Sequence, residues 1–504
     1  MSLCNTVVIV AAQWVTRALG NTPSKAAIMP LVQKPGTPIR NALSGLLRPQ
    51  ILGLLAATLK SKGKIYAALY ELNDPELIPA LEAFGADCNL ILADGAFKPP
   101  TNDENAAVRA TLKKTKMNVF DRMVTGAHFA HNKFVVFCDS TGKPQKVLTG
   151  STNWTFSGLC TQANNGLIID DPDVAQDFLN AWDRLKDAGS AYPKPLITGN
   201  STAQTYKVDD CSITPWFAAT SAAQDLVYAR KLIDAAKEGI LFLFFNPGTF
   251  QTDPKKWTLL QNILERQNPT DANFDAGLYI RGVVNQTIAG LTAPSATGAK
   301  KSQPAHDPTA PAPSPVTLIN GGGSTPPIPL GQSVMVPANV KSKFHSWEQE
   351  LLGASMVDIH SKVIVLDPFG ESPVVMTGSH NLGFKASSEN DDNLVIVEGN
   401  APLAAAYAIN IISIYQTYRW NSYVEAHRQD PKVWHGLVDN DTWQDGYLTG
   451  AHLAETKFWM GDSTGAAPAA VASVPTPARR KIRSASSKDS PSAKPAKTKT
   501  AGRS

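Results

Sequence analysis

Two stretches of the chain repeat one set of reactive side chains: an imidazole and an ammonium group two residues apart, then a hydroxyl and an amide. They are His131, Lys133, Ser151 and Asn153 in the first stretch, and His360, Lys362, Ser379 and Asn381 in the second. Such a set suits a phosphodiester, because lysines neutralise the non-bridging oxygens and hydroxyl and amide donors position them. A neutral imidazole can attack phosphorus, and an imidazolium can protonate the leaving oxygen. We therefore expect a phosphodiester site made of two halves.

The spacing within the two stretches indicates an internal duplication. In each, a second asparagine lies twelve positions after the asparagine of Gly-Ser-x-Asn; it is Asn165 in the first stretch and Asn393 in the second. The interval from the lysine to this Gly-Ser pair is seventeen residues in the first stretch and sixteen in the second. Asp139 and Asp367 close the apolar runs, and we interpret them as structural. Matched repeats of this kind are typical of a duplicated half-site.

The elements around these residues predict strands that aim them. In a strand, residues i and i+2 point to one face, so each histidine projects beside its lysine. The runs at 134–137 and 363–366 are continuously apolar, which is typical of strands buried on both faces. Helical and strand patterns alternate before both stretches. We predict an α/β fold with two similar lobes, each a mostly parallel sheet sandwiched by helices, related by a pseudo-twofold axis.

At these residues the sequence resembles the phospholipase D superfamily, whose signature is His-x-Lys, four residues, Asp, and then Gly-Ser-x-Asn. The second stretch matches fully, and in the first Asp139 is displaced by one position. The resemblance implies a phosphoric diester hydrolase that needs neither metal nor cofactor and works through a phosphohistidine. It implies cleavage or transfer of a phospholipid headgroup, with the serines and asparagines of the motifs binding phosphate.

The resemblance also suggests separate roles for the two histidines. By analogy with two-lobed members, His131 is the nucleophile and His360 the general acid. A carboxylate usually orients the family's histidine from behind. Alignment through Asn393 places Asp392 at that position, whereas the first stretch has the amide Asn164 there. That difference predicts unequal basicity of the two histidines; the alternative is that another carboxylate takes the place of Asn164.

Composition and patterning divide the chain into five parts. We predict an N-terminal extension (1–40), a first lobe (41–205), a second lobe (206–440) with a flexible insertion (286–332), a C-terminal extension (441–464) and a basic disordered tail (465–504). The tail carries nine basic residues against one acid, although the net charge of the whole chain is only +4. An anionic membrane surface or nucleic acid is its expected partner, if it has one. Because both half-sites lie in one chain, we expect activity as a monomer.

Other features exclude some classes of protein. The five cysteines are widely spaced with no Cys-x-x-Cys pair, so free buried thiols are expected rather than disulfides or a zinc site. No basic region precedes the short apolar run at 7–10, and we expect a cytoplasmic or peripheral protein, with another export route left open. His128 lacks companion ligands and is interpreted as a packed residue. His380 is expected to point away from the site, with contact to the substrate as the alternative.

Two alternatives to the phospholipid hypothesis remain at this stage. One is a nuclease of the same superfamily, which would cut DNA phosphodiesters. The other is a binding protein that kept the fold without catalysis; the retention of both histidines and both lysines argues against it.

Overall fold

The computed structural model describes residues 1–9, 25–96, 103–125, 128–275, 277–285, 317–321, 334–335, 358–426, 440–449 and 452–461. Met1–Ser463 form one compact unit, and a second unit, Thr464–Ser504, lies outside the described residues. The predicted basic tail therefore lies outside them as well.

Eight strands belong to the first lobe. They are β1 (Ser2–Asn5), β2 (Ile65–Leu69), β3 (Cys88–Ala93), β4 (Asn118–Arg122), β5 (Lys133–Cys138), β6 (Pro144–Gly150), β7 (Gln162–Ala163) and β8 (Asn165–Ile169). Seven of them form a sheet in the order β1-β8-β6-β5-β2-β3-β4. The first His-x-Lys pair thus leads into β5, at the centre of this sheet.

The second lobe repeats this arrangement. Its strands are β9 (Tyr206–Val208), β10 (Cys211–Phe217), β11 (Gly239–Phe244), β12 (Tyr279–Val284), β13 (Thr317–Gly321), β14 (Val334–Met335), β15 (Asp358–Ile359), β16 (Val363–Leu366), β17 (Val374–Gly378) and β18 (Asn393–Glu398). The sheet order is β14-β13-β12-β11-β16-β17-β18-β10-β9. Six neighbouring strands of this sheet match six of the first sheet in the same order: β10, β18, β17, β16, β11 and β12 match β1, β8, β6, β5, β2 and β3. The second His-x-Lys pair therefore also leads into a central strand.

The two-lobed α/β fold is confirmed, but the prediction of mostly parallel sheets is wrong. Only β2-β3, β3-β4 and β11-β12 are parallel pairs within the two large sheets. These strands are joined through helices, as the alternating pattern predicts. The strands that carry the motifs, β5-β6 and β16-β17, follow each other through short turns and therefore pair antiparallel. The sheets are mixed for this reason.

Fourteen α-helices occur among the described residues. They are α1 (Lys25–Gln33), α2 (Pro38–Leu43), α3 (Leu47–Lys60), α4 (Leu77–Glu82), α5 (Ala106–Leu112), α6 (Phe156–Cys160), α7 (Pro172–Ala188), α8 (Lys194–Asn200), α9 (Gln224–Ala235), α10 (Leu259–Glu265), α11 (Phe384–Glu389), α12 (Ala401–Ala426), α13 (Asp445–Leu448) and α14 (Leu453–Met460). Within the described part of the chain, none combines the length and apolar character that a bilayer crossing requires.

The two lobes share a hydrophobic core. Along β11, Leu241 and Leu243 face this shared core, whereas Phe242 and Phe244 face a separate core under α9 and α10. This is the alternation expected of a strand covered on both faces. Helix α7 packs on the first sheet and also touches β10, and α12 packs on the second sheet and also touches β1. The long helix of each lobe therefore binds the other lobe.

The structure also differs from two predicted boundaries. Strand β1 pairs antiparallel with β8, so residues assigned to an N-terminal extension form an edge of the first sheet. Strand β13 lies within the predicted insertion 286–332 and pairs with β12; the remainder of that insertion is outside the described residues. In the predicted C-terminal extension, the Phe458 ring stacks on Tyr279 of β12 with 4.3 Å between centroids. All five cysteines are free and buried, as expected.

A buried ion pair joins the lobes near their motifs. Arg122, at the end of β4, donates from Nε to Asp391 Oδ2 at 2.7 Å and from Nη2 to Asp391 Oδ1 at 3.0 Å. Both side chains are about 1% exposed. Such a fork-shaped pair is geometrically specific, and it places the segment ahead of Asp392 against the first lobe.

We expect Asp391→Asn to lower the free energy of unfolding by about 3–5 kcal/mol, because the Arg122 charge would remain buried without its counter-charge. Urea denaturation followed by tryptophan fluorescence measures this change. The matched control is Asp170→Asn in the exposed Lys146–Asp170 pair, for which less than about 1 kcal/mol is expected. Equal effects of the two substitutions would contradict the role given to the buried pair.

Candidate functional site

Each motif histidine is held by a residue of the other lobe. His131 Nδ1 lies 2.8 Å from Asp392 Oδ1, and His360 Nδ1 lies 2.9 Å from Asn164 Oδ1. Strands β7 and β15 pair in parallel just ahead of Asn164 and His360, which brings that second pair together. Because Nδ1 is committed to an acceptor, Nε2 of each ring is the nitrogen left to face a substrate.

The two motif serines support these contacts. Ser151 Oγ donates to Asn164 Oδ1 and Ser379 Oγ donates to Asp392 Oδ1, each at 2.7 Å. Both serines are fully buried. The motifs predict that these hydroxyls bind phosphate; in the structure both donate to the residues that orient the histidines.

The motif lysines lie between a carbonyl and an aromatic ring. Lys133 Nζ donates to the His131 carbonyl, and Lys362 Nζ to the His360 carbonyl, each at 2.6 Å. Lys133 lies 4.7 Å from the centre of the Tyr70 ring, and Lys362 lies 4.6 Å from that of Phe245. An ammonium group is attracted to the face of an aromatic ring. The lysine charges are therefore fixed in position.

Tyr70 and Phe245 also contact the histidines. The ring centroids are 4.7 Å apart for Tyr70 and His131, and 4.5 Å apart for Phe245 and His360. The two aromatic residues directly follow the corresponding strands β2 and β11. The sequence analysis missed them, although aligning the strands that precede the two motifs would have paired them.

The motif asparagines differ between the lobes. Asn153 Nδ2 donates to Glu71 Oε2 at 2.8 Å, and its Oδ1 is buried without a hydrogen-bond partner among the described residues. Asn381 Oδ1 is likewise buried and unpartnered in the described part of the chain. The residue of the second lobe that corresponds to Glu71 is the neutral Asn246. These amides remain candidates for phosphate contact, but only the first has a carboxylate beside it.

A polar groove of about 550 Å³ extends from Asn381 over the second lobe. Asn390 lines it and donates from Nδ2 to Asp392 Oδ2 at 3.4 Å. The groove also contains Lys256 and Lys385, which lie over the rings of Phe384 and Phe129, respectively. It therefore connects Asn381 to a surface that has two lysines and the carboxylate of Glu389.

Burial dominates the electrostatics of the site. It lowers the pKa of His131 to about 4; the Lys133 charge acts in the same direction, and Asp392 opposes both. Burial and then the charges of Lys362, Lys133 and His131 hold the pKa of His360 well below its ordinary value. Because the lysine of each lobe affects the histidine of the other, the two half-sites lie within electrostatic reach of one another.

The carboxylate behind His131 makes the two half-sites unequal. Burial alone would raise the pKa of Asp392, but the charge of His131 and its hydrogen bond lower that pKa below the usual value. Asn164, the residue at the same place behind His360, is neutral and cannot stabilise an imidazolium by charge. The predicted inequality of the histidines thus has a structural basis.

The remaining sequence-predicted residues have local contacts. Asp367 accepts from the backbone N–H groups of Glu238 and Gly239 at 2.7 and 2.9 Å. Asp139 Oδ1 accepts from the N–H groups of Thr141 and Lys143 within its turn, at 2.9 and 3.0 Å. These contacts agree with the structural role expected for both aspartates.

Two further histidines lie apart from the paired rings. His380 is buried, with Nδ1 accepting from the Leu382 N–H at 2.8 Å and Nε2 lying 3.0 Å from Asp225 Oδ2. His128 stacks on Tyr192 at 4.3 Å between ring centroids. Across the described residues, no three histidine, cysteine, aspartate or glutamate side chains cluster as metal ligands.

Residues 55–186 match the family described as "Cardiolipin synthase, PLD-like domain". A "Phospholipase D" of Rickettsia conorii is 28% identical over 126 residues, which cover 24% of this chain and 57% of the Rickettsia protein. The chain thus matches little more than half the length of that relative. This family match and this relative, together with the paired motifs, support the phospholipase D superfamily for this chain.

Solved structures give more distant likenesses. Phosphatidylserine synthase of Haemophilus influenzae is 13% identical with a TM-score of 0.44, covering 74% of this chain and 85% of its own. Polyphosphate kinase of Porphyromonas gingivalis is 11% identical with a TM-score of 0.40, covering 72% of this chain and 44% of its own. Similarity at this distance says nothing about activity.

Substitutions of the residues behind the two histidines should shift the pKa values of those histidines in opposite directions. We expect Asp392→Asn to lower the pKa of His131 below its value of about 4, because the opposing carboxylate charge is removed. Asn164→Asp should raise the pKa of His360 for the converse reason. Histidine side-chain ¹⁵N NMR titrations of the two variants measure both shifts.

An unchanged His131 titration in Asp392→Asn would contradict the electrostatic role of Asp392.

Proposed function

We propose that the chain is a metal-independent phosphodiesterase that cleaves or transfers a phospholipid headgroup through a phosphohistidine. The observation that carries the proposal is the pair of histidines, each held through Nδ1 by the opposite lobe and each accompanied by a buried lysine. One pair could be a structural coincidence. Two pairs coupled across a shared core form a site for in-line displacement at phosphorus.

In the first step, His131 Nε2 attacks phosphorus and the bond from phosphorus to the leaving oxygen breaks. His360, as imidazolium, gives its Nε2 proton to that oxygen. The free protein favours neutral histidines, since their pKa values are low. A bound phosphodiester anion offsets the lysine charges, which favours protonation of His360 as the substrate binds.

In the second step, His360 takes a proton from water or an alcohol, whose oxygen then attacks phosphorus. The bond from phosphorus to His131 Nε2 breaks, and the first histidine is restored. While it is phosphorylated, the His131 ring retains its Nδ1 proton and carries positive charge. The Asp392 carboxylate at 2.8 Å stabilises that charge, which supports His131 rather than His360 as the nucleophile.

The lipid substrate is supported by the names of the relatives, a cardiolipin synthase domain and a phospholipase D. The second candidate is cleavage of DNA. It is favoured by the two groove lysines, Lys256 and Lys385, and by the nine basic residues of the tail, because positive charge near the site also fits a nucleic-acid backbone. The same displacement chemistry serves either substrate.

We expect His131→Ala and His360→Ala each to lower the turnover of bis(4-nitrophenyl) phosphate by roughly 10³-fold or more, because each histidine acts in both steps. His452→Ala, remote from the paired rings, is the matched control and should retain full activity. Either active-site variant with a near-normal rate would disprove the assignment.

The same variants separate the two roles. Nitrophenolate leaves without a proton, so His360→Ala should still form the covalent adduct and accumulate it. His131→Ala should form none. Alkaline quenching followed by peptide mass spectrometry locates the adduct, and an adduct on His360 in the His131→Ala variant would reverse the assignment.

Substrate class can be decided in one parallel assay with excess chelator present throughout. We expect headgroup release from phosphatidylcholine or phosphatidylglycerol vesicles and no nicking of plasmid DNA. Nicking without headgroup release would favour the nuclease. Loss of all activity on chelation, restored by a divalent cation, would contradict metal independence.

A further inference from the structure

We propose that Glu71 is a positioning residue of the first half-site: it fixes the orientation of the Asn153 amide and supplies a counter-charge to the Lys133 ammonium. The proposal rests on the proposed function, since it assigns Glu71 to the same phosphate site. The sequence motifs do not include this residue.

The hydrogen bond to Asn153 determines which way its amide faces. An ionised carboxylate can only accept, so the Asn153 Nδ2 group must face Glu71 Oε2, at 2.8 Å. Asn153 Oδ1 is then turned away, and it is buried with no hydrogen-bond partner among the described residues. Asn153 itself is only 5% exposed. A buried amide oxygen without a partner is costly, so the contact with Glu71 has a function beyond simple packing.

The backbone holds Glu71 in place for this contact. The Trp154 N–H donates to the Glu71 carbonyl at 3.0 Å, and Leu72 forms a parallel bridge with Trp154. Trp154, which follows Asn153, is thus held by backbone contacts to Glu71 and to the next residue, Leu72. The Asn153–Glu71 distance is therefore set by main-chain geometry rather than by two flexible side chains.

Glu71 also acts on Lys133 through its charge. Burial lowers the pKa of Lys133 to about 7, and the carboxylates of Asp392 and Glu71 oppose that effect. Lys133 also faces the Tyr70 ring and the His131 carbonyl. Lys362 is a further positive charge near this half-site, since it lowers the pKa of His131. Asp392 is already bonded to His131 and Ser379. Of the two carboxylates that act on Lys133, Glu71 is the one that lies in the same lobe.

The second lobe lacks this carboxylate. Asn246 follows Phe245 as Glu71 follows Tyr70, and it lines the groove together with Asn381. An amide can donate or accept, so Asn246 does not impose one orientation on Asn381. The first half-site therefore has a fixed asparagine and a charge-balanced lysine, whereas the half-site at the groove can adapt to the group that enters.

Glu71→Gln tests the charge, because glutamine keeps an oxygen that can accept from Asn153. Removal of the negative charge lowers the pKa of Lys133, so the lysine loses its proton at a lower pH. The alkaline limb of kcat/KM for bis(4-nitrophenyl) phosphate should then move down by on the order of one pH unit. Glu71→Asp should restore most of this shift. Glu371→Gln, which removes an exposed carboxylate elsewhere on the second lobe, should leave the limb unchanged.

A binding measurement separates this inference from the proposed function. Sulfate stays fully ionised between pH 6 and 8.5, and its affinity can be measured by calorimetry without turnover. Wild type and Glu71→Gln should bind it with affinities within about twofold at pH 6, and the variant should bind several-fold more weakly at pH 8.5. Equal affinities at both values, or coincident alkaline limbs, would overturn the role of Glu71. A sulfate difference in a protein that turns over no diester would support that role and contradict the proposed function.

Discussion

The structure depends on one reciprocal constraint: Nδ1 of each histidine is held by a residue of the other lobe. His131 needs Asp392 and His360 needs Asn164, and both hydrogen bonds cross the lobe boundary. A rotation of one lobe against the other would release both rings at once. The shared hydrophobic core, the exchanged contacts of α7 and α12 and the Arg122–Asp391 pair all oppose such a rotation.

Further polar contacts follow the same pattern. Thr149 Oγ1 donates to Asn393 Oδ1 at 2.7 Å, and Asn165 Nδ2 donates to Thr377 Oγ1 at 2.9 Å. Thr149 and Thr377 lie in β6 and β17, the strands that lead into the two Gly-Ser pairs. Each binds the asparagine that begins a strand of the other lobe, β18 for Thr149 and β8 for Thr377. Buried polar groups are costly unless they are paired, so these exchanges select one relative placement of the lobes. Precise lobe placement is what a displacement at a single phosphorus atom requires.

The duplicated scaffold carries chemistry that is not symmetrical. The lobes share strand order, lysine placement and an aromatic ring beside each histidine, but they differ in the residue behind the histidine and in the residue beside the motif asparagine. One side has Asp392 and Glu71 where the other has Asn164 and Asn246. Both carboxylates act on His131 or Lys133, so negative charge is concentrated on the first half-site. In the proposed two-step reaction the histidines have different tasks, and unequal electrostatics suit that division.

The sequence by itself predicted the two half-sites, the candidate residues in them and the two-lobed α/β fold. These follow from local rules: a spacing of two in a strand, buried apolar runs and a repeated interval of twelve residues. Only the tertiary structure decided that the sheets are mixed, that Ser2–Asn5 complete the first of them, and that the motif serines hold Asn164 and Asp392. It also decided that Glu71 accepts from Asn153 and that Arg122 pairs with Asp391 of the other lobe. Contacts between residues as far apart as Arg122 and Asp391 leave no periodic trace along the chain, because they arise where two separately folded surfaces meet.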